Sequence, residues 1–176
     1  MNEDIFKNYN DQHGVSMYEQ SFAAPLLIIM LRHLGCAFCR RTLWETARQR
    51  SDINSQGVEV GLVHMDDSAV FAAKVKEFKL HDVPRFHDPD QTLYQEFGIK
   101  RAGLRELFNY RVWTKGFEFG VKHGVSWPES DPRQLPGAFL IDQGHVVAGD
   151  WNLSPVNPPD FELLLHPAKD AMAATA

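Results

Sequence analysis

Three stretches of the chain are apolar without polar alternation: Leu26–Leu31, Val58–Met65 (interrupted only by Glu59, Gly61 and His64) and Ala138–Ile141. Runs of this length suit strands buried on both faces, as in a parallel sheet covered by helices. Between them the period changes. Phe38, Leu43, Trp44 and Ala47 make an apolar stripe over a helix from about Cys36 to Arg50, and Val70, Phe71, Val75 and Phe78 make another over about Ser68 to Phe78. Asp66-Asp67-Ser68 supplies capping residues for the second helix. This alternation of strand and helix predicts an α/β fold with parallel strands.

The rest of the chain is read in the same way. Residues 1–10 are expected to fray or to be weakly helical, Val15–Gln20 to form a short strand, and Val83–Phe86 an edge strand limited by Pro84. Gln91–Phe97 reads as a short helix stopped by Gly98, Leu104–Thr114 as another, and residues 116–133 as a long irregular loop. Gln143-Gly144 predicts a tight turn joining strand 138–142 to a return strand over His145–Trp151. Asp160 caps a terminal helix to about His166, with a disordered tail expected from about residue 168. No internal repeat or second domain is visible, so residues 1–176 read as one domain.

Composition narrows the function classes. The formal charge is −5 and the sequence pI about 5.9, which argues against nucleic acid or an anionic membrane surface as partner. No apolar run has the length needed to cross a bilayer, and Met1–Asn10 lacks the basic head and apolar core of a secretory signal. Two cysteines do not make a disulfide framework, so a reducing cytoplasm is the expected compartment.

Those two cysteines carry the chemistry. Cys36 and Cys39 form a Cys-x-x-Cys directly after the first apolar strand and Gly35, where a helix begins. A helix N-terminus has unpaired N–H groups and partial positive charge, so it stabilises a thiolate. Cys39, about one turn further on, is placed to attack a sulfenic acid or mixed disulfide on Cys36. A buried pair of inert thiols and a zinc site completed by histidines are the alternatives. Arg32, His33, Arg40 and Arg41 add positive charge beside the pair. His33 can tune Cys36, exchange a proton, or simply pair with backbone or water. If the strand continued through them, Arg32 and His33 would point to opposite faces. Arg40 and Arg41 are expected to face solvent, Trp44 to join the core, and Phe38 either to pack or to serve as an exposed docking residue. Trp113, Phe117, Phe119 and Trp127 either form a small satellite core or cover the dithiol.

The order strand, Cys-x-x-Cys, helix, strand, helix, then a late proline before a hairpin and a last helix, resembles the thioredoxin fold, a central mixed sheet flanked by helices. Leu135-Pro136 stands where that fold has its cis-proline, the wall facing the dithiol. Three stretches resemble more closely the peroxiredoxin-like proteins of the alkyl hydroperoxide reductase and thiol-specific antioxidant superfamily, in the branch related to selenoprotein L. They are Leu31–Arg40, Phe86–Ile99 with its Asp88-Pro89 turn, and Leu140–Val147. Typical peroxiredoxins have a Thr three residues before the peroxidatic Cys, where this chain has His33, and lack a second Cys three residues on. The resemblance implies an antioxidant oxidoreductase with Cys36 and Cys39 as redox centre and Arg32, His33, Arg40 and Pro136 supporting it. The implied substrate is a hydroperoxide, or alternatively a protein disulfide. Thioredoxin or glutathione is the implied reductant. No metal or organic cofactor is implied, and homodimers are common in such folds. A non-catalytic redox sensor is the reading outside enzymes.

Overall fold

The computed structural model describes residues 3–103, 130–151 and 158–175. A 3-10 helix, Glu3–Asn8, opens the chain. It is followed by α1 (Met17–Ala23), β1 (Leu26–Met30), α2 (Ala37–Ser55), β2 (Glu59–His64), α3 (Ser68–Glu77), β3 (Arg85–His87), α4 (Thr92–Glu96), β4 (Gly137–Asp142), β5 (His145–Asp150) and α5 (Phe161–Thr175). The five strands form one mixed sheet in the order β3-β2-β1-β4-β5. β1 is central, parallel to β2 and antiparallel to β4. This is the α/β arrangement of a central mixed sheet flanked by helices.

The unbroken apolar run of β1 is explained by where its alternate side chains go. Leu27 and Ile29 pack with Leu43 and Ile53 of α2, Phe71 and Val75 of α3, and Phe161, Leu164 and Leu165 of α5. Leu26, Ile28 and Met30 pack on the other face with Phe6, Met17 of α1, Leu93 and Tyr94 of α4, and Phe139. Each fully buried Leu or Ile in such a layer is worth about 1.5–3 kcal/mol relative to exposure. Gly61 in β2 is required by that packing, because a Cβ there would stand 2.8 Å from Ile28 Cδ1 and 3.1 Å from Phe86 Cε2.

Several expectations need correction. Val15–Gln20 is not a strand. Ser16 caps α1, its Oγ accepting the Glu19 N–H at 3.1 Å while Glu19 Oε2 accepts the Ser16 N–H at 2.9 Å. This reciprocal pair outweighs the weak apolar alternation. The N-terminal segment takes the helical of its two expected forms, with Ile5 and Phe6 buried. α2 runs on to Ser55. α5 is capped by Asp160, whose Oδ1 accepts the Leu163 N–H at 3.1 Å, but it extends to Thr175 through Pro167 instead of ending near residue 166. All described peptide bonds are trans, Leu135–Pro136 included, so the cis isomer implied by resemblance is not adopted. The expected helix at 104–114, the loop up to residue 129, and with them Trp113, Phe117, Phe119 and Trp127, lie outside the described residues.

The topology sets where a site can form. Parallel β1 and β2 end on the same side of the sheet, and β4 begins there, with Met30 paired to Gly137. Three segments therefore meet at one edge: residues 31–36 after β1, Met65–Asp67 after β2, and residues 130–136 before β4. No described helix is long and apolar enough to cross a membrane.

Candidate active site

β1 ends at Met30, and one further parallel bond, Leu31 N–H to Val63 O at 3.0 Å, closes it. The chain then turns, with Cys36 N–H donating to His33 O at 3.1 Å. Cys36 is the N-cap of α2, extended at φ −82° and ψ 122°. It is partly buried, and Cys39, in the first turn, is buried. Both thiols are free.

Because the strand has already ended, Arg32 and His33 are not constrained to opposite faces, and both are buried, at 6% and 8% exposure. A buried guanidinium needs acceptors, and the 130–134 segment provides them. Arg32 Nε donates to Gln134 O at 2.9 Å, and Nη2 donates to Pro132 O. Nη1 is left 3.7 Å from Cys36 Sγ. The thiol of Cys39 and the Arg32 charge both favour the Cys36 thiolate. With the N–H groups of Cys39 and Phe38 they overcome desolvation, and the pKa of Cys36 falls from 9.0 to about 6. Cys39 moves the opposite way, held up by its hydrogen bond to Cys36 and by burial. The pair is therefore polarised, Cys36 toward the thiolate and Cys39 toward the thiol.

The other expected residues are placed as follows. His33 has no hydrogen-bond partner at Nδ1 among the described residues. Burial, and then the charge of Arg32, lowers its pKa to about 4, so it is neutral at pH 7. Arg40 does not simply face solvent, since its Nε donates to Leu34 O at 2.8 Å and ties the helix to the loop before Cys36. Phe38 is buried, not an exposed docking residue. Trp44 is 45% exposed, with Arg48 lying over its ring at 5.7 Å, and so is outside the core. Pro136 immediately precedes Gly137 at the dithiol end of the sheet, but it is the carbonyls of Pro132 and Gln134 that reach the arginine.

Sequence reasoning missed Asp66, Ser130, Gln134 and Tyr94. Tyr94 is fully buried and donates its O–H to Leu31 O, holding the end of β1. Asp66 looked like one of several capping residues, but Asp67 is the cap of α3, accepting from Ala69 N–H at 2.9 Å and Val70 N–H at 3.1 Å. The Asp66 carboxylate instead turns inward and accepts from the Leu34 N–H and the Ser130 hydroxyl. Only its position directly after a buried strand hinted at this. No group of three or more His, Cys, Asp or Glu side chains among the described residues is arranged to hold a metal ion.

A thioredoxin-like α/β sheet with a polarised dithiol at the C-terminal end of its central strand defines a thiol-dependent redox protein. The chain belongs to the AhpC/TSA family, whose sequence pattern matches residues 6–149. Solved structures with the same fold include peroxiredoxin 6 of Arenicola marina, with a TM-score of 0.65 at 13% identity over 95% of this chain and 70% of that one. AhpC of Enterococcus faecalis gives 0.58 at 13% identity over 92% and 81%. The bacterioferritin comigratory protein of Xanthomonas campestris gives 0.57 at 14% identity over 97% and 91%. No curated protein matches the chain.

Proposed function

We propose that the protein is a thiol peroxidase in which Cys36 is the peroxidatic residue and Cys39 resolves it. The supporting observation is the polarised pair: Arg32 Nη1 stands 3.7 Å from Cys36 Sγ, the pKa of Cys36 is lowered to about 6, and a buried Cys39 is retained as thiol. The Cys36 thiolate attacks the O–O bond of a hydroperoxide. An S–O bond forms, the O–O bond breaks, and the leaving alkoxide takes a proton from solvent. Cys36 becomes a sulfenic acid, with sulfur oxidised by two electrons. Arg32 faces both the thiolate and the charge that develops on the departing oxygen.

The second step follows from the same electrostatics. Cys39 is held protonated chiefly by its bond to the Cys36 thiolate. Oxidation removes that negative charge, so Cys39 ionises more readily and attacks the sulfenic sulfur. The Cys36–Cys39 disulfide forms and water leaves. Two reducing equivalents from an external thiol then restore the dithiol. Thioredoxin or glutathione fits that role. Both systems are named for a yeast mitochondrial 1-Cys peroxiredoxin of this fold, whose TM-score is 0.63 at 10% identity over 95% of this chain and 73% of that one.

The test is rapid-mixing oxidation of the reduced protein by hydrogen peroxide and an organic hydroperoxide, beside an insulin-type disulfide substrate. Oxidation much faster than that of a free thiol, abolished by Cys36→Ser and stopping at a trappable sulfenic acid in Cys39→Ser, is the expected result. Peroxide oxidation at the free-thiol rate with rapid disulfide reduction would replace the peroxidase with a disulfide oxidoreductase. Slow reaction with both would leave a redox sensor.

A further inference from the structure

Asp66 is a buried carboxylate, 3% exposed, that the proposed reaction does not use. A carboxylate buried that far needs hydrogen-bond donors, and it draws them from the two loops that build the site. Oδ2 accepts the Leu34 N–H at 2.9 Å, in the loop between Arg32 and Cys36. Oδ1 accepts the Ser130 hydroxyl at 2.8 Å, at the start of the segment whose carbonyls hold the Arg32 head. Ser130 Oγ also lies 3.5 Å from the Arg32 carbonyl oxygen.

Asp66 is itself held in place. Its backbone oxygen lies 3.0 Å from His64 Nδ1, so that nitrogen carries the proton, because a carbonyl can only accept. The His64 ring is stacked on Phe71, with centroids 3.8 Å apart and planes 3° from parallel. Two short strand-end loops are thus joined by one carboxylate fixed to the end of β2.

We propose that Asp66 is a positioning residue for the dithiol, clamping the loop at 31–36 to the segment at 130–134 and so setting the contact between Arg32 and Cys36. An arginine is long and flexible. Its Nη1 stays at Cys36 only while its own backbone and the carbonyls gripping its head keep their separation. Asp66 bonds to both sides of that separation. The inference rests on the role given to Arg32 above.

The experiment measures the rate of Cys36 alkylation by iodoacetamide against pH, located by mass spectrometry, and the rate of peroxide oxidation. It compares wild type, Asp66→Ala, Asp66→Asn, Ser130→Ala, Arg32→Met and the Arg32→Met/Asp66→Ala double variant. Asp66→Ala should raise the alkylation midpoint by about 1 pH unit, in the same direction as Arg32→Met. Asp66→Asn keeps an acceptor for Leu34 and a donor for Ser130, and should recover most of the wild-type midpoint. In the Arg32→Met background Asp66→Ala should add no further shift, since the contact that it positions is gone.

A merely structural role would lower the melting temperature and leave the midpoint where it was. Unmoved midpoints in Asp66→Ala and Ser130→Ala, with a moved midpoint in Arg32→Met, overturn the proposal and leave the Arg32 role standing. An additive shift in the double variant overturns it as well. An unmoved midpoint in Arg32→Met removes the role of Arg32 itself, and the clamp with it. If Asp66→Ala does not fold, Ser130→Ala decides the question, because it removes one arm of the clamp and leaves the carboxylate.

Discussion

Replacing Arg32 by Met isolates the charge that faces Cys36 while keeping an unbranched side chain in its place. At 3.7 Å, with an effective dielectric of about 20, the attraction between guanidinium and thiolate is about 4 kcal/mol. Solvent at the partly buried sulfur reduces this, so the thiolate midpoint should rise by about 1–3 pH units from its value near 6. The rate at pH 7 is a poor reporter of that change. A rise of about 2 units cuts the thiolate fraction roughly tenfold, but the more basic thiolate is about six- to tenfold more nucleophilic. The alkylation rate at pH 7 should therefore hardly move, while its pH midpoint moves clearly. Peroxide oxidation should fall by about 100-fold beyond any loss in alkylation, because only that reaction develops charge on a leaving oxygen. Met also leaves the Pro132 and Gln134 carbonyls without their donor, at about 1–3 kcal/mol each, so urea titration must show the variant folded under assay conditions. Arg32→Lys restores a charge without the fork and should recover part of the midpoint. An unmoved midpoint in a folded Arg32→Met would refute the reasoning and assign the low pKa to Cys39 and the helix N–H groups.

Two further outcomes concern stability. His33 and His64 are buried with pKa values lowered from 6.5 to about 4 and about 3, chiefly by desolvation. In the unfolded chain they bind protons as pH falls below 6.5, and in the folded chain only near those lower values, so stability falls with pH across that window. At pH 5 the two together should cost about 4 kcal/mol relative to pH 8, read by urea unfolding, and His64→Phe should remove about half of that pH dependence; an unchanged dependence would contradict the burial argument. Ser16→Ala, which removes the capping box of α1, should cost about 1 kcal/mol and lower Tm by about 2–4 °C, and an unchanged Tm would show that packing of Met17 alone holds the helix.

What could be read from the sequence was whatever depends on local period. β1, β2 and β4 stood out because both of their faces are buried, and α2 and α3 because their stripes recur at helical spacing. The sequence of α1 reads as a strand because its seven residues give little periodicity, and the decisive contact is one side chain, Glu19, reaching back to Ser16. Trp44 was expected inside because it neighbours Leu43. A helical step of about 100° carries it off the face that Leu43 and Thr46 bury. For the site, the sequence placed the dithiol and named Arg32 and His33. It could not choose between them, because the choice depends on where β1 stops. Ser130 and Gln134 carried no local signal at all, and Asp66 only its position directly after a buried strand. Their partners lie 32 to 102 residues away, and each is an ordinary polar residue until the sheet brings its loop to the shared edge.

That difference in range bears on how such a site works and fails. The spacing of Cys36 and Cys39 is fixed by the first turn of one helix, so the proposed disulfide would close within α2. The low pKa of Cys36 has two sources of different range. The bond from Cys39 and the helix N–H groups belong to the same turn. The charge of Arg32 is held by carbonyls about 100 residues further along the chain, across the antiparallel pairing of Met30 with Gly137. A perturbation in the 130–134 segment should therefore leave the proposed cross-link possible while it detunes the nucleophile. In the proposed cycle the motif would supply the capacity to pass between dithiol and disulfide, and the long-range loop contacts would set how readily Cys36 starts it.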